Sequence, residues 1–155
     1  MTDITEGSKA PAFDMATAEG GRVSLDGLKG RKVVLYFYPK ADTPGCTNEG
    51  KAFSALKADF DAADTVVVGV SRDSVASHAK FRAKHGLTVL LGSDPGDVTE
   101  AYGTWVEKSM YGKKYMGIER ATFLIGRDGK IAAVWGKVKV PGHAEAVLAA
   151  AQALA

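Results

Sequence analysis

The run Lys32-Val-Val-Leu-Tyr-Phe-Tyr38, stopped by Pro39, constrains this chain more than any other feature. A stretch that is almost continuously apolar, β-branched or aromatic cannot leave one face in water, so it reads as a strand covered on both faces and central in its sheet. A turn-rich segment, 41–45, follows it. A helical pattern then runs from Cys46 to Ala62 and leads into a second buried strand, Val66-Val-Val-Gly-Val-Ser71. Strand, helix, strand predicts a right-handed parallel crossover. The chain has 155 residues, 46% of them hydrophobic, which suits one compact domain spanning 1–155.

The remaining punctuation fills out the sheet. A helix is predicted over Ser74–His85, capped by Asp73 or Ser74 and stopped at Gly86, with a short apolar run at Val89–Leu91 after it. Asp94-Pro95 opens a brief helix, with Pro95 in its first position, Asp97 at the positive end of its dipole and Gly103 closing it. The segment Lys108–Gly117 is polar and glycine-bearing and reads as a loop. Ala121–Ile125 and Lys130–Trp135 flank Gly126-Arg-Asp-Gly129, a hairpin signal. A C-terminal helix is expected over His143–Ala155 behind Pro141-Gly142, and a small hairpin near Phe13 and Val23. That order fits an α/β class with a thioredoxin-like fold, a central mixed β-sheet flanked by helices.

Charge excludes several functions. Charged residues make up 25% of the chain with both signs interspersed, and the net charge is +2, so nothing marks a nucleic-acid or anionic-membrane surface. Met1–Ala10 is polar, without the basic flank and apolar core of a signal peptide, and a cytoplasmic protein is expected. His78, His85 and His143 lack the i, i+4 spacing of a helical metal pair and read as surface or capping residues, so no metal is expected. Lys80–His85 and Lys113-Lys114 read as solvated faces. Asp42 is set aside, because a like charge would oppose a thiolate.

Cys46 is the only cysteine, which rules out an intramolecular disulfide, a CxxC motif and a cysteine zinc cluster. A lone cysteine can be a small buried hydrophobe. Its setting also suits a nucleophile: in Thr43-Pro44-Gly45-Cys46, Thr43 is a natural N-cap, Pro44 takes the first helical position, and Cys46 falls third, where free N–H groups and the dipole favour a thiolate. The four residues are laid out as a capping box, with sulfur where the carboxylate would stand. Cys46, Phe53 and Phe60 are seven apart, so the sulfur should face the core, in a narrow apolar pocket at the helix mouth.

The string Phe37-Tyr-Pro-Lys-Ala-Asp-Thr-Pro-Gly-Cys-Thr47 contains the PxxxTxxC pattern of peroxiredoxins. Together with Asp73-Ser-Val-Ala-Ser-His78, Tyr111-Gly-Lys and Gly117-Ile-Glu-Arg120-Ala-Thr-Phe123, it resembles the bacterioferritin comigratory, or Q-type, subfamily across nearly the whole chain. The resemblance implies a thiol peroxidase that reduces hydrogen peroxide and alkyl hydroperoxides, with Cys46 as the peroxidatic cysteine and no metal or organic cofactor. It further implies that the Thr43 hydroxyl and the Cys46 N–H bind the peroxide oxygens, that Pro39 shields the pocket, and that Arg120 supplies positive charge. Without the resemblance, an arginine opening an apolar strand reads as a solvated charge. Glu49, a turn beyond Cys46, resembles the residue that orients this arginine, although an exposed helical carboxylate is the alternative.

The subfamily commonly carries a resolving cysteine five residues after the peroxidatic one or in the next helix. Here those positions are Lys51 and, near the second, Arg82. A sulfenic acid on Cys46 would therefore need an external thiol: thioredoxin, glutathione with glutaredoxin, or another small thiol. Cys46 facing inward predicts that the first turn of its helix loosens, aided by Gly45 and Gly50. A monomer is expected. The competing reading is a peroxide sensor or interaction module, oxidised once at Cys46 without turnover.

Overall fold

The computed structural model describes residues 4–155; Met1 to Asp3, the start of the polar N-terminal stretch, lie outside the described residues. The chain opens with β1 (Asp14–Thr17) and β2 (Arg22–Ser24), an antiparallel hairpin that pairs Met15 with Val23. β3 (Lys32–Phe37) follows and is buried along its whole length. Then come α1 (Pro44–Ala55), α2 (Lys57–Ala62), β4 (Thr65–Ser71), α3 (Val75–His85), β5 (Leu90–Ser93) and α4 (Asp97–Ala101). The second half holds β6 (Trp105–Met110), β7 (Lys113–Ile118), β8 (Ala121–Ile125), β9 (Ile131–Trp135) and α5 (His143–Ala153).

Seven strands form one mixed sheet in the order β2-β1-β5-β4-β3-β8-β9. β3, β4 and β5 are parallel, as the helical crossovers between them require, while β1, β8 and β9 join antiparallel. The strict alternation of side chains in β3 divides the interior. Val33, Leu35 and Phe37 enter one core with Met15, Val98, Tyr102 and Phe123. Val34, Tyr36 and Tyr38 enter the other, beneath α1, α2, α3 and α5, with Cys46, Phe53, Phe60, Phe81 and Val147. Both faces are covered, which is why this run carries no polar position after Lys32. Lys32 itself is buried, and its Nζ donates to the carbonyls of Ala151 and Leu154 at 2.7 and 2.8 Å, closing the C-terminal end of α5.

Three sequence expectations need correction. The helix expected from Cys46 to Ala62 is two helices, broken at Leu56 (φ −100°, ψ 8°), yet Cys46, Phe53 and Phe60 all stay buried on one side. The helix expected to start at Pro95 starts at Asp97, because the Asp94 carboxylate takes the N–H groups of Gly96, Val98 and Thr99 and so caps from further back. The expected loop 108–117 is the β6–β7 hairpin, turned by Tyr111 and Gly112 with φ of 52° and 77°. Outside Ile118 neither strand is fully buried, and Tyr111 at the tip is 98% exposed, so there is no burial to impose an alternating pattern on the sequence. No helix among the described residues is long and apolar enough to cross a membrane.

Candidate active site

β3 delivers the chain to the site. Tyr38 extends the strand by donating its N–H to Val70 O, and Pro39 then ends it, exposed at the rim. The loop that follows is turned by Asp42 at φ 63°, whose carboxylate faces away toward α3, where His85 and Lys84 hold it below the usual carboxylate range. Thr43 has the extended backbone of an N-cap, its carbonyl accepts the Thr47 N–H at 2.8 Å, and Pro44 is the first helical residue. Cys46 is therefore third, among amides that have no acceptor within the helix.

The capping box is not formed. The Thr43 hydroxyl donates to Lys40 O at 2.7 Å and accepts nothing from the helix. Its one proton is committed to closing the 40–43 turn, so the oxygen presents lone pairs rather than a donor.

Cys46 is 1% exposed, within the core beneath α1. The strongest neighbour of its sulfur comes from far along the chain. β8 pairs antiparallel with β3, with Ala121 opposite Phe37, which places Arg120 just beyond the end of β3 and beside the first turn of α1. Arg120 Nη2 donates to Cys46 Sγ at 3.3 Å, and Nη1 donates to Glu49 Oε1 at 2.6 Å. The Arg120 side chain is 17% exposed and that of Glu49 1%, so neither the solvated arginine nor the exposed carboxylate is what the fold contains. Burial pushes the Glu49 carboxyl up to about 7 against the pull of Arg120, and its Oε2 is buried without a partner. Lys108 adds a further cation nearby: its ammonium donates to Ile118 O, and burial followed by repulsion from Arg120 lowers its pKa.

Gly45 matters for a reason that the sequence did not disclose. A Cβ there would stand 3.1 Å from Arg120 Nη2, so its bare backbone makes room for the guanidinium. Gly50 serves packing instead, since a Cβ would meet Leu87 Cδ1 at 3.0 Å. The structure thus brings Cys46, Glu49, Arg120 and Gly45 into direct contact, sets Thr43 one turn from the sulfur, and leaves Pro39 at the exposed end of β3.

Two of the three histidines are buried rather than superficial. His78 bonds to Ser71 and Tyr38, and His143 to Thr122 at 2.8 Å, while His85 pairs with Asp42. Among the described residues no group of three or more His, Cys, Asp or Glu side chains comes together as a metal site would require. Of the two positions considered for a second thiol, Lys51 is exposed, while Arg82 lies 3.7 Å from Glu19 and reaches Val89 O.

The chain as a whole is similar to known proteins. The pattern of the AhpC/TSA family matches residues 7–134. Peroxiredoxin Bcp of Xanthomonas campestris pv. campestris is 47% identical over 156 residues, covering 99% of this chain and 98% of the relative. Peroxiredoxin Bcp of Bacillus subtilis (strain 168) is 45% identical over 141 residues, covering 90% of each. Among solved structures, peroxiredoxin Q of Xanthomonas campestris matches with a TM-score of 0.89 at 45% identity, over 96% of this chain and 97% of that one. The bacterioferritin comigratory protein of the same organism, whose structures are described as giving insight into alkyl peroxide reduction, matches with a TM-score of 0.89 at 44% identity, over 96% and 98%.

Proposed function

The chain belongs to the AhpC/TSA family and is a peroxiredoxin, a thiol-dependent peroxidase, and we propose that it reduces hydrogen peroxide and alkyl hydroperoxides through a sulfenic acid on Cys46 that an external thiol resolves. The observation that carries the proposal is the 3.3 Å contact from Arg120 Nη2 to Cys46 Sγ, with the guanidinium pinned from behind by Glu49. A cation held against a buried sulfur compensates the charge of a thiolate, and the thiolate is the nucleophile.

In the first half-reaction the Cys46 thiolate attacks one peroxide oxygen along the O–O axis. The S–O bond forms, the O–O bond breaks, and its electron pair departs on the second oxygen, which takes up a proton as water or alcohol; Cys46 is left as a sulfenic acid. Arg120 and the free N–H groups of the first turn face the charge that passes from sulfur to the leaving oxygen. The lone pairs of Thr43 accept the peroxide O–H and orient it, while Pro39 forms an apolar rim that limits water.

In the second half-reaction a thiol attacks the sulfenic acid, releasing water and forming a mixed disulfide, and a second thiol displaces Cys46 as the free thiol. With no other cysteine in the chain, both sulfurs come from outside: thioredoxin, glutathione with glutaredoxin, or another small thiol. Because Cys46 is buried, the first turn of α1 loosens to expose the oxidised sulfur. A single cysteine is kept reduced in the cytoplasm, which supports that location. The test is peroxide consumption with excess thiol. Many equivalents consumed per protein are expected, whereas a single equivalent would replace the peroxidase mechanism with a sensor oxidised once.

A further inference from the structure

A buried polar relay lies under the loop that leads to Cys46, and none of its members touches the reacting atoms. Asp73 Oδ2 accepts the Ala41 backbone N–H at 2.8 Å and the Ser71 hydroxyl at 2.5 Å. Ser71 Oγ also receives the Asp73 N–H at 3.2 Å and lies 2.6 Å from His78 Nε2, which in turn is 3.1 Å from the Tyr38 hydroxyl. Ser74, not Asp73, caps α3 by accepting the Ser77 N–H, so the Asp73 side chain is free for this task.

The proton positions follow from the donors available. Ser71 has one proton and gives it to the carboxylate, so His78 must donate from Nε2. Its Nδ1 is then a bare lone pair, the buried atom without a partner. Burial lowers His78 to about 4, against the pull of Asp73, and keeps the ring neutral. The base of the relay is fixed as well, with Ser93 Oγ donating to Asp73 O at 2.5 Å and the Asp94 N–H to Ser71 O at 2.9 Å. The loop is therefore held at Tyr38 and at Ala41, on either side of Pro39, by groups anchored in β4, α3 and β5. Beyond Ala41 the loop is tied at its exposed side, where the Asp42 carboxylate meets Lys84 and His85 of α3 at 2.9 and 2.7 Å, and then by the Thr43–Lys40 turn, where the first turn of α1 begins.

We propose that Asp73 is a positioning residue that holds residues 39–43 in the peroxide-reactive arrangement, and that its bond to Ala41 N–H sets how far the loop and the first turn of α1 can open toward the reducing thiol. The inference rests on the two-step cycle proposed above and adds a consequence that packing alone lacks. An anchor that favours the closed loop accelerates oxidation, which needs the closed site, and retards reduction, which needs the open one.

The experiment separates the half-reactions in Asp73→Ala, Asp73→Asn and Ser71→Ala. The second-order rate of Cys46 oxidation by hydrogen peroxide is measured on the reduced protein. The rate at which preformed sulfenic acid is consumed by glutathione is measured separately. For Asp73→Ala, oxidation is expected to slow about tenfold or more and reduction to quicken, the shift that loss of one hydrogen bond to a charged acceptor permits. Asn restores both rates toward wild type, because one amide oxygen can accept from Ala41 N–H and Ser71 O–H as Oδ2 does. Ser71→Ala keeps the Ala41 bond but frees the carboxylate from His78, and shows the same pair of directions in smaller measure. It also carries the test if Asp73→Ala does not fold by circular dichroism. Rates that move in the same direction, or that stay within about twofold of wild type, overturn the proposal. A wild type that never turns over would instead count against the peroxidase cycle, and the two half-reactions would still be measurable.

Discussion

Replacing Arg120 by Met removes the cation while keeping much of the side-chain volume, and the structure gives a scale for the loss. Two unit charges 3.3 Å apart interact by about 5 kcal/mol at an effective dielectric near 20. The guanidinium meets charge both in the ground-state thiolate and in the transition state, so only part of that interaction bears on the rate of attack. Loss of one preorganised donor facing developing charge costs about 3–4 kcal/mol, or roughly 10²–10³-fold. Arg120→Met is therefore expected to slow Cys46 oxidation by about 10²–10³-fold, measured as the second-order rate of thiol loss against hydrogen peroxide. Stability falls as well, because Glu49 loses its partner, but this carboxyl already sits near 7 and neutralises readily, which limits the loss to about 1–3 kcal/mol. The double variant Arg120→Met with Glu49→Gln separates the two effects by recovering melting temperature but not rate. Oxidation of Arg120→Met within about threefold of wild type would refute the assignment of Arg120 to the transition state.

Cys46→Ser should abolish peroxide consumption at every thiol concentration, and mass spectrometry of oxidised wild type with a panel of thiols should show the adduct on Cys46 alone. Glu49 gains its charge, and with it its hold on Arg120, as pH rises through about 7, so the ratio of wild-type to Glu49→Gln oxidation rates should climb between about pH 6 and 8; a flat ratio would remove Glu49 from the reaction. For Gly45→Ala the gain of up to about 1 kcal/mol from helix propensity is opposed by crowding of the Arg120 guanidinium, so little net change in melting temperature is expected. The added Cβ, 3.1 Å from Arg120 Nη2, pushes the guanidinium a few tenths of an ångström against its bond to Glu49 and off the sulfur, and oxidation should slow about tenfold in a peroxide progress curve. Lys32→Met removes two hydrogen bonds from a charged donor to the end of α5 and should cost about 2–4 kcal/mol, a drop of roughly 5–15 °C in melting temperature by calorimetry.

What the sequence disclosed depended on how much burial each segment carries. β3 and β4 are legible because covering both faces leaves an unbroken apolar run, and α3 because Ser74 and Gly86 mark its ends with residues that do the capping. The β6–β7 hairpin was hidden because most of its positions are at least partly solvated, so no period of two survives. The break at Leu56 was hidden for the opposite reason: the side chains on either side keep facing the same core, and periodicity registers that facing rather than the continuity of the backbone. At the site, the local half was readable. Thr43, Pro44 and Cys46 announce a helix start with sulfur in its third position. The contact from Arg120 spans 74 residues and depends on the β3–β8 register, so no reading of local pattern could supply it. Only the family resemblance pointed there.

The same geometry explains why the solitary cysteine is not a defect in an otherwise two-cysteine plan. Arg82 stands near where a second thiol would be expected in α3, and its guanidinium spans toward Glu19 and the Val89 carbonyl, joining α3 to the turn after β1 and to the approach to β5. A cysteine there would lose both links, and a loosened α3 would have to travel to a sulfur that is 1% exposed. An arrangement with an outside reductant makes the smaller demand. In the proposed cycle only the segment from Asp42 through the first turn of α1 has to move, while the rest of α1 stays packed through Phe53 and the close approach of Gly50 to Leu87. In that cycle, confining the motion to one turn leaves the rest of α1 over a closed core, so Glu49 and Arg120 can stay paired while the sulfur moves out, and the Arg120–sulfur contact re-forms when the turn closes.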